Sequence, residues 1–171
     1  MKKYINDLAK HNDEFQEIIK PLITNETVLQ MKNFRQHYET TCFDHCYTAA
    51  YYCYTICKKY HLDYKSATRA AMLHDLFLYD WRKRQPDRKG LHAFTHGKTA
   101  CENACKLFDL NEKEKIIIIK HMWPVTLKLP KYKESYVIVF VDKYCAVMEL
   151  VSPKYQMLKN KFRHFRHSVQ K

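Results

Sequence analysis

A histidine and an aspartate stand side by side, as His74 and Asp75, at the end of a stretch rich in alanine. An amphipathic helix would place apolar side chains at these inward positions. Burying an imidazole beside a carboxylate costs several kcal/mol unless both are hydrogen-bonded or bound to a cation. Four further candidate ligands lie elsewhere in the chain, namely His45, His96, His121 and Asp142. These residues together predict a metal site.

The types of ligand indicate the type of metal. Imidazole and carboxylate groups suit iron, manganese, zinc or nickel better than they suit calcium. A single histidine on a helix is more often a hydrogen-bonded core or surface residue than a ligand. Each of His45, His96 and His121 would be a weak candidate alone, and the His74–Asp75 pair is what makes the set convincing. His92 lies four residues before His96, so it could exchange roles with that residue or hold it in place.

Composition limits the class of protein. A chain of 171 residues is long enough for one domain with its own apolar core, so a metal is not needed to hold it together. Two glycines are too few for a glycine-rich phosphate loop or a dinucleotide fingerprint. Since no apolar run approaches the roughly 18 to 20 residues that span a bilayer, we expect a soluble, cytoplasmic protein without a membrane partner. The formal net charge of +12 favours anionic partners.

Six of the seven cysteines form pairs four residues apart within helical patterns. Reduced cysteine packs as a small apolar residue, so we expect these side chains in the core of a protein from a reducing compartment. A zinc site built from thiolates is a weaker alternative, because the usual C-x-x-C spacing is missing.

Helical periodicity dominates the chain, and no segment alternates as a strand does. The sequence therefore predicts an all-α, single-domain fold with roughly six to eight helices. Its core is expected over residues 34–149, with an N-terminal helix at 3–20 and a basic C-terminal helix at 153–168 packing on it. Asp63 or Ser66 is expected to cap the helix that leads to His74, and Asn111 with Glu114 forms a capping box before the helix that leads to His121.

The order of the candidate ligands resembles the HD-domain superfamily over roughly Phe34 to Glu149. The core of that resemblance is the pattern H…HD…D, carried here by His45, His74–Asp75 and Asp142. The resemblance implies an all-helical fold in which those side chains bind a divalent metal. It also implies hydrolysis of phosphomonoesters, phosphodiesters or nucleotides, the activity of most members.

His96 and His121 fall where some HD-domain proteins, including the HD-GYP cyclic-dinucleotide phosphodiesterases, place ligands for a second metal. The resemblance thus implies two ions, with Asp75 bridging them. This chain departs from the HD-GYP pattern, because residues 76–79 read Leu-Phe-Leu-Tyr where that family has a glycine and a lysine, and the GYP element is absent. Specificity for cyclic dinucleotides is therefore not implied.

The resulting hypothesis is a metal-dependent phosphohydrolase in which metal-activated water attacks an anionic, phosphorylated small molecule. Asp75 and His74 are the expected catalytic residues. Lys98 and Arg82 are the expected contacts to the substrate phosphate. Lys120 and Lys143, each next to a ligand on a helix, are expected to point into solvent, because adjacent helical residues diverge by about 100°.

Two alternatives use the same residues differently. Some HD-superfamily members are mixed-valence di-iron oxygenases with the same six ligands, and ligand identity alone does not distinguish them from hydrolases. A non-enzymatic alternative is binding of nucleic acid by the basic C-terminal helix, which is less favoured because Phe162 and Phe165 are spaced as a packed helix face. The sequence does not indicate an oligomeric state.

Overall fold

Eight α-helices make up most of the part of the chain that the structure describes. The structure is a computed structural model that describes the backbone of residues 2–37, 39–83 and 90–168 and the side chains of residues 5–36, 39–83 and 90–151. The elements in chain order are α1 (Lys2–Lys10), α2 (Asp13–Ile23), α3 (Glu26–Leu29), a 3₁₀ turn (Gln30–Asn33), β1 (Arg35–His37), β2 (Thr40–Thr41), α4 (Cys42–Lys59), α5 (Tyr64–Leu73), α6 (His92–Leu107), α7 (Glu112–Lys120) and α8 (Lys133–Ser168). The predicted all-α fold class is confirmed.

Capping side chains explain where several helices begin. Thr41 accepts a hydrogen bond from the N–H of Asp44 at the start of α4, and Asp63 accepts one from Ser66 at the start of α5. At α7, Asn111 and Glu114 make both bonds of the predicted capping box. These caps fix the start of α4, which carries His45. They also fix the starts of α5 and α7, whose last residues are followed directly by His74 and His121.

The N-terminal prediction of one helix over 3–20 is wrong, because two helices occupy this region. Asn12 is the cause, since its side chain accepts from the N–H of Phe15 and starts α2 there. Pro21 lies inside α2, which ends two residues later at Ile23.

The predicted separate C-terminal helix at 153–168 is also corrected. The backbone of α8 is helical without interruption over its 36 residues, so Ser152 and Pro153 lie inside it. Proline removes one backbone donor but does not forbid a continuing helix. The basic and aromatic side chains of 153–168, and their predicted packing on the core, lie outside the described side chains.

The core is formed where α4 packs on α5 and on α8, with α7 closing over α5. Its largest fully buried apolar side chains include Phe15, Met72, Leu76 and Ile117. All seven cysteines lie in the described part of the chain and are reduced, and six are buried while Cys105 is exposed. The predicted core role of the cysteines is therefore confirmed for all but Cys105.

A small antiparallel hairpin, β1 with β2, precedes α4 and pairs Arg35 with Thr41. The sequence predicts no strand, so this hairpin is a correction to the prediction; strands of three and two residues are too short to show an alternating pattern. None of the described helices combines the length and apolar character needed to cross a membrane.

Candidate metal centre

Five elements or their ends bring the six predicted ligands together. His45 comes from α4, His96 from α6 and Asp142 from α8, while His74 and His121 follow the last residues of α5 and α7. The four histidines and Asp75 are each at most 4% exposed, and the side chain of Asp142 is 13% exposed. The structure thus places side chains that are up to 97 residues apart in one buried cluster.

Asp75 lies at the centre of this cluster. Its Oδ1 is 3.3 Å from Nε2 of His96 and 3.6 Å from Nε2 of His121. Its Oδ2 is 3.5 Å from Nε2 of His74. The two carboxylate oxygens therefore face two different sets of histidines.

Asp142 completes the second set. Its Oδ1 is 3.1 Å from Nε2 of His45 and 3.6 Å from Nε2 of His74. Two triads have ligand atoms close enough to hold a metal ion, His45–His74–Asp75 and Asp75–His96–His121. Asp75 belongs to both, which is the arrangement that the resemblance implies for a bridging ligand.

Backbone carbonyls fix the direction of three histidines. In each of them Nδ1 lies 2.7 Å from a carbonyl oxygen. The carbonyl belongs to Ala71 for His74, to His92 for His96 and to Ile118 for His121. A carbonyl only accepts hydrogen bonds, so Nδ1 carries the proton in each ring. The Nε2 atom of the neutral ring then presents a lone pair to the cluster, as a metal ligand must.

Several atoms of the cluster lack the partners that buried polar groups normally have. Nε2 of His74 and Oδ1 of Asp75 are buried without a hydrogen bond among the described residues. Nε2 of His96 and Nε2 of His121 face each other at 2.8 Å. Two such lone pairs repel unless a proton or a cation lies between them, so this donor set fits a bound metal.

The close packing of histidines and carboxylates shifts the pKa values of the cluster in both directions. Burial lowers the pKa of His96, but Asp75 outweighs this effect and raises it overall. Burial lowers the pKa of His121 to about 3, assisted by positive charge on His96 and His74. Burial raises the pKa of Asp75, yet the neighbouring histidines bring it well below its usual range, and the same applies to Asp142 beside His45. Both carboxylates are therefore ionised at neutral pH.

Glu149 is a buried acidic residue that the sequence analysis missed. Its Oε2 is 3.0 Å from Nδ1 of His45, and its Oε1 is buried without a hydrogen bond among the described residues. Burial lowers the pKa of His45, but hydrogen bonds to Asp142 and Glu149 raise it well above the usual value. The spacing could have identified it, because Glu149 follows Asp142 by seven residues and so lies on the same face of α8.

Gln36 is a second residue that the sequence analysis missed. Its side-chain Nε2 donates to Oδ2 of Asp75 at 2.5 Å, so the β1–β2 hairpin restrains the central carboxylate. No signal in the sequence points to it, because strands of three and two residues are too short to show an alternating pattern.

Two cysteines of α4 touch the cluster from behind. Sγ of Cys42 donates to the main-chain oxygen of Asp75 at 3.2 Å, and Sγ of Cys46 is 3.6 Å from Nδ1 of His74. Cys42, Cys46 and Asp75 form a further group that could hold a metal. Burial raises the pKa of both thiols, so they are neutral and better suited to packing than to binding a metal as thiolates.

A cavity of about 240 Å³ opens onto the cluster. Four predicted ligands line it, Asp75, His96, His121 and Asp142. The remaining lining residues are Gln36, Trp81, His92, Ala93, Met122, Lys143 and Ala146. The expectation that Lys143 points into solvent is corrected, since it is half-buried and its Nζ is 3.5 Å from the carbonyl oxygen of His121.

The two predicted phosphate contacts, Lys98 and Arg82, do not line this cavity. The side chain of Lys98 is 77% exposed and lies 3.7 Å from Glu102. Residues two positions apart on a helix point in directions that differ by about 200°. Lys98 therefore points away from the side of α6 that carries His96. Arg82 bonds to Asp80 and is 48% exposed.

His92 supports the cluster and also faces the cavity. Its ring stacks on His96 with centroids 4.3 Å apart, and its Nδ1 is 3.0 Å from the hydroxyl of Tyr79. Its own carbonyl oxygen accepts the hydrogen bond from His96. The structure therefore gives His92 the supporting position that was one of the two predicted for it.

No protein-family model, no curated protein and no solved structure matches this chain. The resemblance to the HD-domain superfamily therefore stays a prediction that depends on the ligand pattern.

Proposed function

We propose that this protein is a metal-dependent phosphohydrolase with two divalent transition-metal ions, of the kind that the HD-domain resemblance implies. The proposal rests on the convergence of the Nε2 atoms of His74, His96 and His121 on the carboxylate of Asp75. Burying these groups together is costly without a cation.

The six predicted ligands divide between the two ions. His45, His74 and Asp142 would hold one ion, His96 and His121 the other, and Asp75 both. Nitrogen and oxygen ligands of this kind suit iron, manganese, zinc or nickel. When bound, such ions lower the pKa of water to yield a nucleophile near neutral pH and stabilise charge that develops on phosphoryl oxygens.

The residues around the ligands keep this arrangement in place. The carbonyl oxygens of Ala71, His92 and Ile118 hold three imidazoles in the tautomer that ligates. Glu149 fixes His45, and Gln36 restrains Asp75. Among the described residues that line the cavity there is no serine, threonine or cysteine to act as a hydroxyl or thiol nucleophile.

The charges favour an anionic substrate, and a phosphoester is one. The chain carries a formal net charge of +12, and the cavity beside the ligands contains the ammonium group of Lys143. A substrate with negative charge is therefore attracted to the protein and to the site. A di-iron oxygenase would use the same ligands, and no further feature of the cavity favours it.

Substitution of Asp75 by asparagine tests the proposal. This change keeps the shape of the side chain but removes the charge that both triads share, so we expect metal content below two ions per chain. We expect kcat/KM for p-nitrophenyl phosphate to fall by roughly 100-fold or more, with unchanged helical circular dichroism. Asp109→Asn, at an exposed carboxylate, is the matched control.

Two results would contradict the proposal. One is hydrolysis by Asp75→Asn at the wild-type rate, or by protein from which all metal has been removed. The other is a wild-type protein that carries two iron ions, hydrolyses no phosphoester and consumes dioxygen with an organic substrate, which would establish the oxygenase alternative.

A further inference from the structure

Lys143 gives the cavity its positive charge. It is the one lysine or arginine among the described lining residues, and it follows the ligand Asp142 on α8. Its Nζ makes a long contact of 3.5 Å to the carbonyl oxygen of His121. An ammonium group has three donors, so this contact leaves donors for the oxygens of a bound anion.

An aromatic stack forms one wall of the same cavity. The ring of Trp81 lies parallel to that of His92, with centroids 5.6 Å apart and planes 18° apart. His92 in turn stacks on His96 with planes 18° apart. Met122 and Ala146 add apolar surface to the lining. The cavity is thus charged near the ligands and largely uncharged on its other walls.

The size of the cavity limits what it can take. Its volume is about 240 Å³, and it is open to solvent on one side. Pockets for drug-sized ligands have about 300–1,000 Å³. A nucleotide would have to leave its base outside, and a phosphodiester would need room for a second organic group.

We infer that the site takes a small phosphomonoester, with the phosphate held by Lys143 and a short organic group lying against Trp81 and Met122. This inference rests on the proposed function and narrows its substrate class. Lys143 then acts as a specificity-determining residue that contacts the substrate, in place of the predicted Lys98 and Arg82.

Three variants of the metal-loaded protein test the inference. Lys143→Gln removes the charge, Lys143→Arg keeps it, and Lys120→Gln removes a charge next to His121 but outside the cavity. Binding of inorganic phosphate is measured by calorimetry, together with metal content and circular dichroism. Because a charged hydrogen bond is lost, we expect Lys143→Gln to weaken phosphate binding about tenfold or more. Metal content and helicity should not change, and Lys143→Arg and Lys120→Gln should bind as the wild type does.

Kinetics with three substrates test the substrate class. We expect wild-type kcat/KM to be higher for glycerol phosphate than for adenosine monophosphate or bis(p-nitrophenyl) phosphate, and Lys143→Gln to raise KM for glycerol phosphate. Faster hydrolysis of the nucleotide or the diester would overturn the inference and leave the proposed function intact. Equal phosphate binding by Lys143→Gln and wild type would overturn the role of Lys143. Failure to hydrolyse any of the three would instead count against the proposed function, while the phosphate measurement still decides whether Lys143 binds an anion.

Discussion

The same kind of hydrogen bond, from Nδ1 to a backbone carbonyl oxygen, orients three of the ligand histidines. His74 and His121 each lie at the C-terminal end of a helix and donate from Nδ1 to the carbonyl three residues earlier. The last carbonyls of a helix have no intrahelical partner, so each histidine both satisfies one of them and fixes its own tautomer. His96 does the same within α6, to the carbonyl four residues earlier. The backbone therefore aims these side chains without needing additional acidic residues.

His45 is oriented differently, by the carboxylate of Glu149, and this allows a prediction for one residue. Glu149→Gln keeps an acceptor for Nδ1 of His45, whereas Glu149→Leu removes it. Since partners of this kind typically contribute 10- to 100-fold to metal affinity, we expect a loss of about that size in Glu149→Leu and a smaller loss in Glu149→Gln. Competition with a chelator measures the affinity.

Glu102→Gln is the control for that measurement, because Glu102 is exposed on α6. Equal metal affinity in wild type and Glu149→Leu, with both folded, would show that Glu149 does not position His45 for binding.

At the scale of elements, the close approach of α6 to α7 places His121 beside His96. Gly97 makes this approach possible. A Cβ atom there would lie 3.1 Å from the carbonyl oxygen of Ile118, which holds His121, and 3.3 Å from Cε1 of His121 itself. The absence of a side chain at residue 97 therefore determines where one ligand stands.

Gly97→Ala is expected to lower the metal content of the protein while changing its free energy of unfolding only slightly. Alanine gains about 1 kcal/mol over glycine in a helix, while overpacking costs about 1–3 kcal/mol, so the net loss of stability is small. Displacement of His121 should nevertheless lower the metal content from two ions towards one. Thermal melts and metal analysis, with Lys98→Ala as an exposed control on the same helix, measure both effects. Full occupancy in Gly97→Ala would show that the contact does not position the ligand.

The sequence predicted elements well where capping residues and apolar periodicity agreed, as at Asp63 and Asn111. It failed at Asn12, where a cap inside a helical pattern divides one predicted helix into two. It also failed at Ser152 and Pro153, where a pattern typical of a helix start lies within α8. A capping residue within a helical pattern can either start a new helix or lie inside a continuous one. Tertiary contacts decide between these outcomes, and local sequence does not specify them.

For the molecule as a whole, the sequence identified all six members of the cluster and the neighbouring His92, but not the supporting residues Glu149 and Gln36. Buried polar residues in apolar helix faces are recognisable from periodicity, as at Asp142, which interrupts the apolar positions Ile138, Val141 and Cys145. Gln36 and Lys143 could not be found in this way, because their positions depend on a hairpin and on how α8 lies against α7. Contacts between distant segments are set by packing, and a pattern of residues along one chain does not determine them.

We propose that this cluster holds two metal ions, and everything inferred about its chemistry depends on them. The most direct test is elemental analysis of the metal content per chain, in protein purified anaerobically without chelator and then reconstituted with iron, manganese, zinc or nickel. We expect about two ions per chain in the wild type for at least one of these metals. A metal-free protein after reconstitution with each of them, or saturation at one ion, would contradict it.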